Sequence, residues 1–191
     1  MLDELIKTFE ELKKSVFIID RGTQGIITIR FENKHFYHLV GLHKTNINMF
    51  FPDYLKTKDK IYKYLKKNSK KFNKILENQI QDKDSVELRI KSFHKIIELL
   101  NDSDGLTLYS LKQKVAGSMY DGDYGLLRIY EDLYCLFGLK QEDINEEKNI
   151  VYCVPQSWMA SRRVNKLIEA KMPIYMNKIT KLPANTNIQD L

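Results

Sequence analysis

Leu2, Leu5, Ile6, Phe9 and Leu12 recur at helical spacing, so the chain is predicted to open with a short amphipathic helix. The period then changes. Residues 16–20 are β-branched and aromatic, Arg21-Gly22-Thr23-Gln24-Gly25 is a turn, and residues 26–31 are again strand-like, which together make a β-hairpin. Glu32-Asn33 supplies a helix start for a short segment rich in histidine, and residues 46–53 read as a loop whose Met49-Phe50-Phe51 anchors back on the core. Ile61, Leu65, Phe72, Ile75, Leu76 and Ile80 mark one or two basic helices. Asp84 with Glu87 is a capping-box-like start for a helix carrying Val86, Ile90, Phe93, Ile97 and Leu100, which the run Asn101-Asp102-Ser103-Asp104-Gly105 stops. His94, beside Phe93 on that helix, reads as structural or exposed.

After Gly105 the pattern is that of strands, at 106–111, 124–130, 133–139 and 149–154, with a tight connection at Glu131-Asp132 and longer turns at 117–123 and 140–148. Alternation along 124–130 puts Tyr124, Leu126, Arg128 and Tyr130 on one face. Such a face suits either a nucleotide or an ordinary outer surface. The predicted fold is α+β: helices and a hairpin first, a basic helical insertion, then a C-terminal antiparallel sheet of about four strands. One domain over 1–191 is expected, with 56–104 as a lysine-rich insertion or subdomain.

At 191 residues the chain is long enough to bury a core without staples. Cys135 and Cys153 fall in strands and read as buried thiols, and no C-x-x-C pair suggests structural zinc. The sequence starts directly in an amphipathic pattern and has no long apolar run, so a cytoplasmic location, in a bacterial or phage-infected cell, is expected, with no membrane partner. The net charge of +6 is local: residues 56–74 hold nine lysines against one acid, Asp59. That segment, with Lys63, Lys66, Lys67 and Lys70 near its middle, is either a polyanion-binding face or a solvated helix surface. Arginine is scarce, so Arg30 and Arg128 in strands and the adjacent Arg162 and Arg163 are candidates for phosphate contacts.

Three of the four histidines lie between residues 35 and 43, followed by Lys44. Imidazoles titrate near neutral pH, so a cluster beside a cation suggests proton transfer around an anion such as a phosphodiester. A half-buried stripe of His35, Phe36, Leu39, Val40 and His43 is the structural alternative. The residues Phe31, Phe36, His38, Leu39, Gly41, Leu42, His43 and Lys44 form a His-Leu-x-Gly-Leu-His-Lys segment that resembles a family of phage-encoded nucleases grouped with barnase, EndoU, the nuclease colicins and RelE. A weaker likeness is Tyr152-Cys153-Val154-Pro155-Gln156-Ser157-Trp158, similar to the family's last core strand, which ends near a Pro-x-Ser element at the active site. The lysine-rich stretch has no counterpart in a minimal nuclease of this type.

The resemblance implies a barnase/EndoU/colicin/RelE-like fold and a metal-independent endoribonuclease, a toxin or a phage or mobile-element effector. RNA would be its substrate, with a possible cognate inhibitor or antitoxin as partner, and no cofactor would be needed. In such chemistry the ribose 2′-hydroxyl attacks its own phosphate. His38 and His43 are the candidates for proton transfer, Lys44, Arg30 or Arg128 for charge stabilisation, and Ser157 for a hydrogen bond to a phosphoryl oxygen. Tyr130, Arg162 and Arg163 are candidate substrate contacts. On a regular helix His38 and His43 would point about 140° apart, so either one of them is structural or a helix broken at Gly41, where glycine tolerates the needed backbone, brings both toward the sheet. Proline at 155 should end or kink the last strand and leave Ser157 at the site's mouth. Two alternatives stand: a non-catalytic nucleic-acid- or protein-binding regulator, and a zinc-dependent or HNH-like nuclease using His35, His38 and His43 with Glu32.

Overall fold

The computed structural model describes residues 1–80, 84–111, 122–162 and 173–190. The α-helices among the described residues are α1 (Leu2–Leu12), α2 (Asn33–Leu39), α3 (Lys58–Lys67), α4 (Ser69–Ile80), α5 (Asp84–Ser92) and α6 (Lys95–Asn101). The strands are β1 (Ser15–Asp20), β2 (Ile26–Arg30), β3 (Leu106–Ser110), β4 (Tyr124–Tyr130), β5 (Leu133–Asn145), β6 (Ile150–Ser161), β7 (Pro173–Ile174) and β8 (Lys178–Pro183).

The expected sheet of about four antiparallel strands, of barnase/EndoU/colicin/RelE type, is replaced by one mixed sheet of eight, curled into a half-barrel. Its order is β7-β3-β4-β5-β6-β2-β1-β8. The meander β3-β4-β5-β6 and the hairpin β1-β2 both form, but they are joined by a parallel pairing of β2 with β6 that sets Ile26 beside Ile150 and Ile29 beside Cys153. Two C-terminal strands then extend the edges, β8 on β1 and β7 on β3. The junction between hairpin and meander is held by the Ile26 N–H, which donates to the Asn149 carbonyl at 2.9 Å. Gly25 (φ +82°) permits this approach, because a Cβ there would sit 2.0 Å from the same oxygen.

β5 and β6 are also longer than their sequence suggested, since 140–145 continues β5 and leaves only a short turn. Pro155 does not end β6. It is buried inside the strand at a bulge, where Leu139 pairs with Pro155 and Gly138 with Ser157, so Gln156 is the extra residue. A bulge is where a residue without an N–H fits a ladder.

One face of the sheet carries the core. Phe9, Leu12, Phe17, Ile29, Phe36, Leu108, Leu126, Phe137, Cys153 and Trp158 belong to one buried cluster, and the lysine-rich helices add Tyr62, Leu65, Phe72 and Leu76 to it. Small apolar groups around Leu127 and Leu136, and around Val16 and Ile150, form separate clusters. Trp158 donates from Nε1 to Ser92 at 3.1 Å, and the Ser92 hydroxyl turns back to the Arg89 carbonyl at 3.4 Å. Such back-bonding bends helices; here the helix expected through Leu100 divides into α5 and α6, with exposed His94 at the break. In the loop after α2 Ile47 is fully buried in the core and Phe51 packs against Phe72 and Tyr64, while Met49 and Phe50 are 78% and 45% exposed.

Candidate active site

The histidine segment acquires its shape from its two ends. α2 begins with a reciprocal cap: the Glu32 side chain accepts from the His35 N–H, and the Glu32 N–H donates to His35 Nδ1 at 3.0 Å. His35 is therefore a structural residue of the helix start. Burial draws its pKa down to about 4, and its Nε2, shut off from water, meets no partner. α2 ends at Gly41, which is left-handed (φ +82°), a C-terminal stop that glycine makes without strain. A 3-10 turn of Leu42–Lys44 follows, fixed by the Thr45 hydroxyl donating to the Leu42 carbonyl at 2.8 Å.

This reversal brings the two site histidines together. The His38 and His43 rings stack with centroids 4.5 Å apart and planes at 26°. One His43 ring N–H donates to the Tyr37 carbonyl, while Tyr37 sets its own ring edge-on to His38 at 5.9 Å. Although His43 keeps one edge in water, loss of water around the rest of the ring draws its pKa down to about 4. The charges of His38, Arg89 and Lys44 push the same way. His38 is lowered too, first by burial and then by Lys58. Burial, then Arg89, lowers Lys44. In the free protein both imidazoles are thus neutral at neutral pH, each able to accept a proton, in a setting that an added anion would recharge.

His38 also faces a cavity of about 260 Å³ bounded by Lys34, His35, Lys58, Pro155 and Gln156. The β6 bulge forms its floor, so the segment 154–156 does meet the histidines, though by its proline and glutamine. Ser157 is not among the lining residues: it neighbours Met159 in alternation, on the face opposite Trp158, and its buried Oγ has no partner. Arg30 donates to the Thr186 carbonyl at 2.7 Å and lines a different cavity with Tyr152 and Ile188. Arg128 is ion-paired with Asp102 at 2.7 Å and lies over the Tyr130 ring, whose hydroxyl donates to the Lys95 carbonyl. Arg162 is exposed and 3.7 Å from Asp132. Arg163 lies outside the described residues.

Of the lysines, Lys63 is paired with Asp59 and Lys66 with Glu10 at 3.1 Å, while Lys67 and Lys70 are exposed on the same two helices. Among the described residues no group of three His, Cys, Asp or Glu could hold a metal ion, and the zinc alternative loses His35 Nδ1 to the helix cap. No described helix is long and apolar enough to cross a membrane.

The residue that reading the sequence missed is Arg89 of α5. It is 5% exposed, and burial brings its pKa down to about 10. Its side chain lies across Gly41, with Cδ 2.5 Å and Nη1 3.0 Å from where a Cβ on that glycine would stand. The signal was present: Arg89 sits three residues after Val86 and four before Phe93, on the buried stripe itself.

Buried His35 carries a pH prediction. As pH falls through 6.5 an unfolded His35 takes up a proton, while the folded one resists until about 4, so the unfolded state binds more protons in that window. Stability is present above 6.5 and is lost as pH falls toward 4. Gln at this third helical position still suits a capping box, so His35→Gln is expected to flatten the melting temperature against pH between those values. An unchanged slope would place the acid sensitivity elsewhere.

No family model, curated protein or solved structure matches this chain.

Proposed function

We propose that this chain is a metal-independent endoribonuclease, a toxin or phage or mobile-element effector that cleaves RNA by attack of the ribose 2′-hydroxyl on the adjacent phosphodiester. The observation that carries the reading is the His38–His43 stack at 4.5 Å, made at a left-handed glycine and flanked by Lys44. Two imidazoles on one group supply the base that takes the 2′-proton and the acid that protonates the leaving 5′-oxygen. Lys44 supplies positive charge for the phosphorane. The likeness of His38-Leu39-Val40-Gly41-Leu42-His43-Lys44 to phage-encoded nucleases supports the same chemistry. The test is cleavage of a defined RNA in EDTA with analysis of the ends. A 2′,3′-cyclic phosphate is expected, and dependence on added metal would sink the reading.

A non-catalytic nucleic-acid-binding regulator is the second reading, favoured by the absence of Ser157, Arg30 and Arg128 from the histidine cavity. Binding without cleavage would select it.

RNA is held, in either reading, by the exposed lysines of α3 and α4. Replacing Lys67, Lys70, Lys71 and Lys74 with Gln is expected to weaken binding about equally across sequences. The log–log salt slope should drop by roughly 0.7 for each phosphate of a single strand that the lysines cease to neutralise. Lys63 and Lys66 already face Asp59 and Glu10, so their replacement should change the slope less. Equal slopes for all variants and the parent would reduce the lysine run to a solvated face.

A further inference from the structure

We infer that Arg89, with His43 and Lys44 at the Gly41 turn, forms a binding site for a phosphate-type oxyanion, in which Arg89 is the fixed cation. This rests on the same site as the proposed function and names the ligand chemistry there, but it stands on a different residue.

A buried guanidinium normally meets a carboxylate, because the cost of taking the ion out of water is otherwise unreturned. Arg89 makes no ion pair among the described residues, and its Nη1 is closed to water with no hydrogen-bond partner. Its charged neighbours, His43 and Lys44, carry or can acquire the same sign. Nothing about folding favours such a grouping. An oxyanion corrects this: it offers acceptors to the guanidinium fork and favours the protonated form of the two stacked imidazoles. Gly41 takes part by having no side chain, since a Cβ there would meet Arg89 Cδ at 2.5 Å and force the guanidinium away. Binding is consequently coupled to proton uptake, and the oxyanion binds more tightly on the acidic side of the imidazole range.

The probe is inorganic phosphate, read by thermal melts and by the histidine C–H resonances of the intact protein. For the natural sequence the melting temperature is expected to rise with the logarithm of phosphate, more so at lower pH, with His43 and His38 resonances moving together. Arg89→Met removes the charge and keeps the bulk. In phosphate-free buffer it should melt at or above the parent temperature, because an uncompensated buried ion has been replaced by an apolar chain. Its affinity for phosphate should fall by about 10- to 100-fold, the loss of charge-assisted hydrogen bonds. Arg89→Lys keeps a charge without the fork and should fall between.

A Met variant that melts well below the parent, or one that keeps the phosphate response, would overturn the assignment. So would a parent protein indifferent to phosphate. A 2′-O-methyl oligoribonucleotide, which has the diester and lacks the attacking hydroxyl, separates the sources. If it displaces phosphate, the ligand is the nucleic-acid backbone; if phosphate binds and the oligonucleotide does not, the oxyanion site stands and the endoribonuclease reading falls.

Discussion

If the proposed endoribonuclease reading holds, His38→Ala and His43→Ala are each expected to lower single-turnover RNA cleavage by about 10²- to 10⁴-fold, the usual worth of a placed general acid or base, with little loss of stability. Both rings lie at the surface end of the α2 turn and form no part of the buried apolar cluster, so truncation removes chemistry and leaves the core. The pH profile carries the same assignment. Both imidazoles sit below their ordinary 6.5 in the free protein, and kcat/KM reports free-enzyme values, so its optimum should fall below that pH. Loss of His43 should remove one limb of the bell, loss of His38 the other. Two variants that cleave at the parent rate would return the pair to a packing role, and so would variants that unfold.

Gly41→Ala is expected to reduce cleavage and stability together, through one backbone angle. An L-residue at φ +82° is strained by roughly 1–2 kcal/mol, and the added Cβ must also displace the Arg89 chain from 2.5 Å. A total of about 2 kcal/mol corresponds to a fall of about 4–8 °C in melting temperature for a chain of this size. If the turn relaxes toward helix, the histidines swing apart and the cleavage rate falls with them. Combining the change with Arg89→Ala separates the two causes, since the overlap vanishes in the double variant and the backbone strain remains. The cycle should show the pair to be less harmful than the sum of the singles. A Gly41→Ala protein that melts and cleaves like the parent would show that the left-handed turn positions nothing.

What could be read from the residues themselves was local. The spacing of Leu2, Leu5, Ile6, Phe9 and Leu12 gives α1, the glycine-bounded turn at 21–25 gives the β1-β2 hairpin, and the alternation in 124–139 gives the β4-β5 pair, since each depends on neighbours in the chain. The histidine segment was legible only in part: the angle between positions 38 and 43 on a helix left either one histidine structural or a break at Gly41, and a left-handed glycine stands there. Ser157 illustrates the limit. Its two-residue separation from Pro155 suggested a shared rim, but the extra residue at the bulge shifts the alternation and turns Ser157 to the other face.

By itself, then, the order of residues determined where α1, the β1-β2 hairpin and the strands of the meander begin, where the positive charge gathers and which titratable groups lie close together along the chain. The tertiary structure alone decided the eight-stranded sheet, because β2 pairs in parallel with β6 across more than a hundred intervening residues, β7 is only two residues long, and β8, Lys178-Ile179-Thr180-Lys181-Leu182-Pro183, is largely solvent-facing and takes its place from the β1 edge it joins. Registers of that kind depend on which apolar faces share a core, and local alternation carries no record of them. Arg89 belongs to the same class. Its charge and its place on an apolar stripe are written in the sequence, but only the packing of α5 against the Gly41 turn sets it, buried and without an ion pair among the described residues, beside His43 and Lys44.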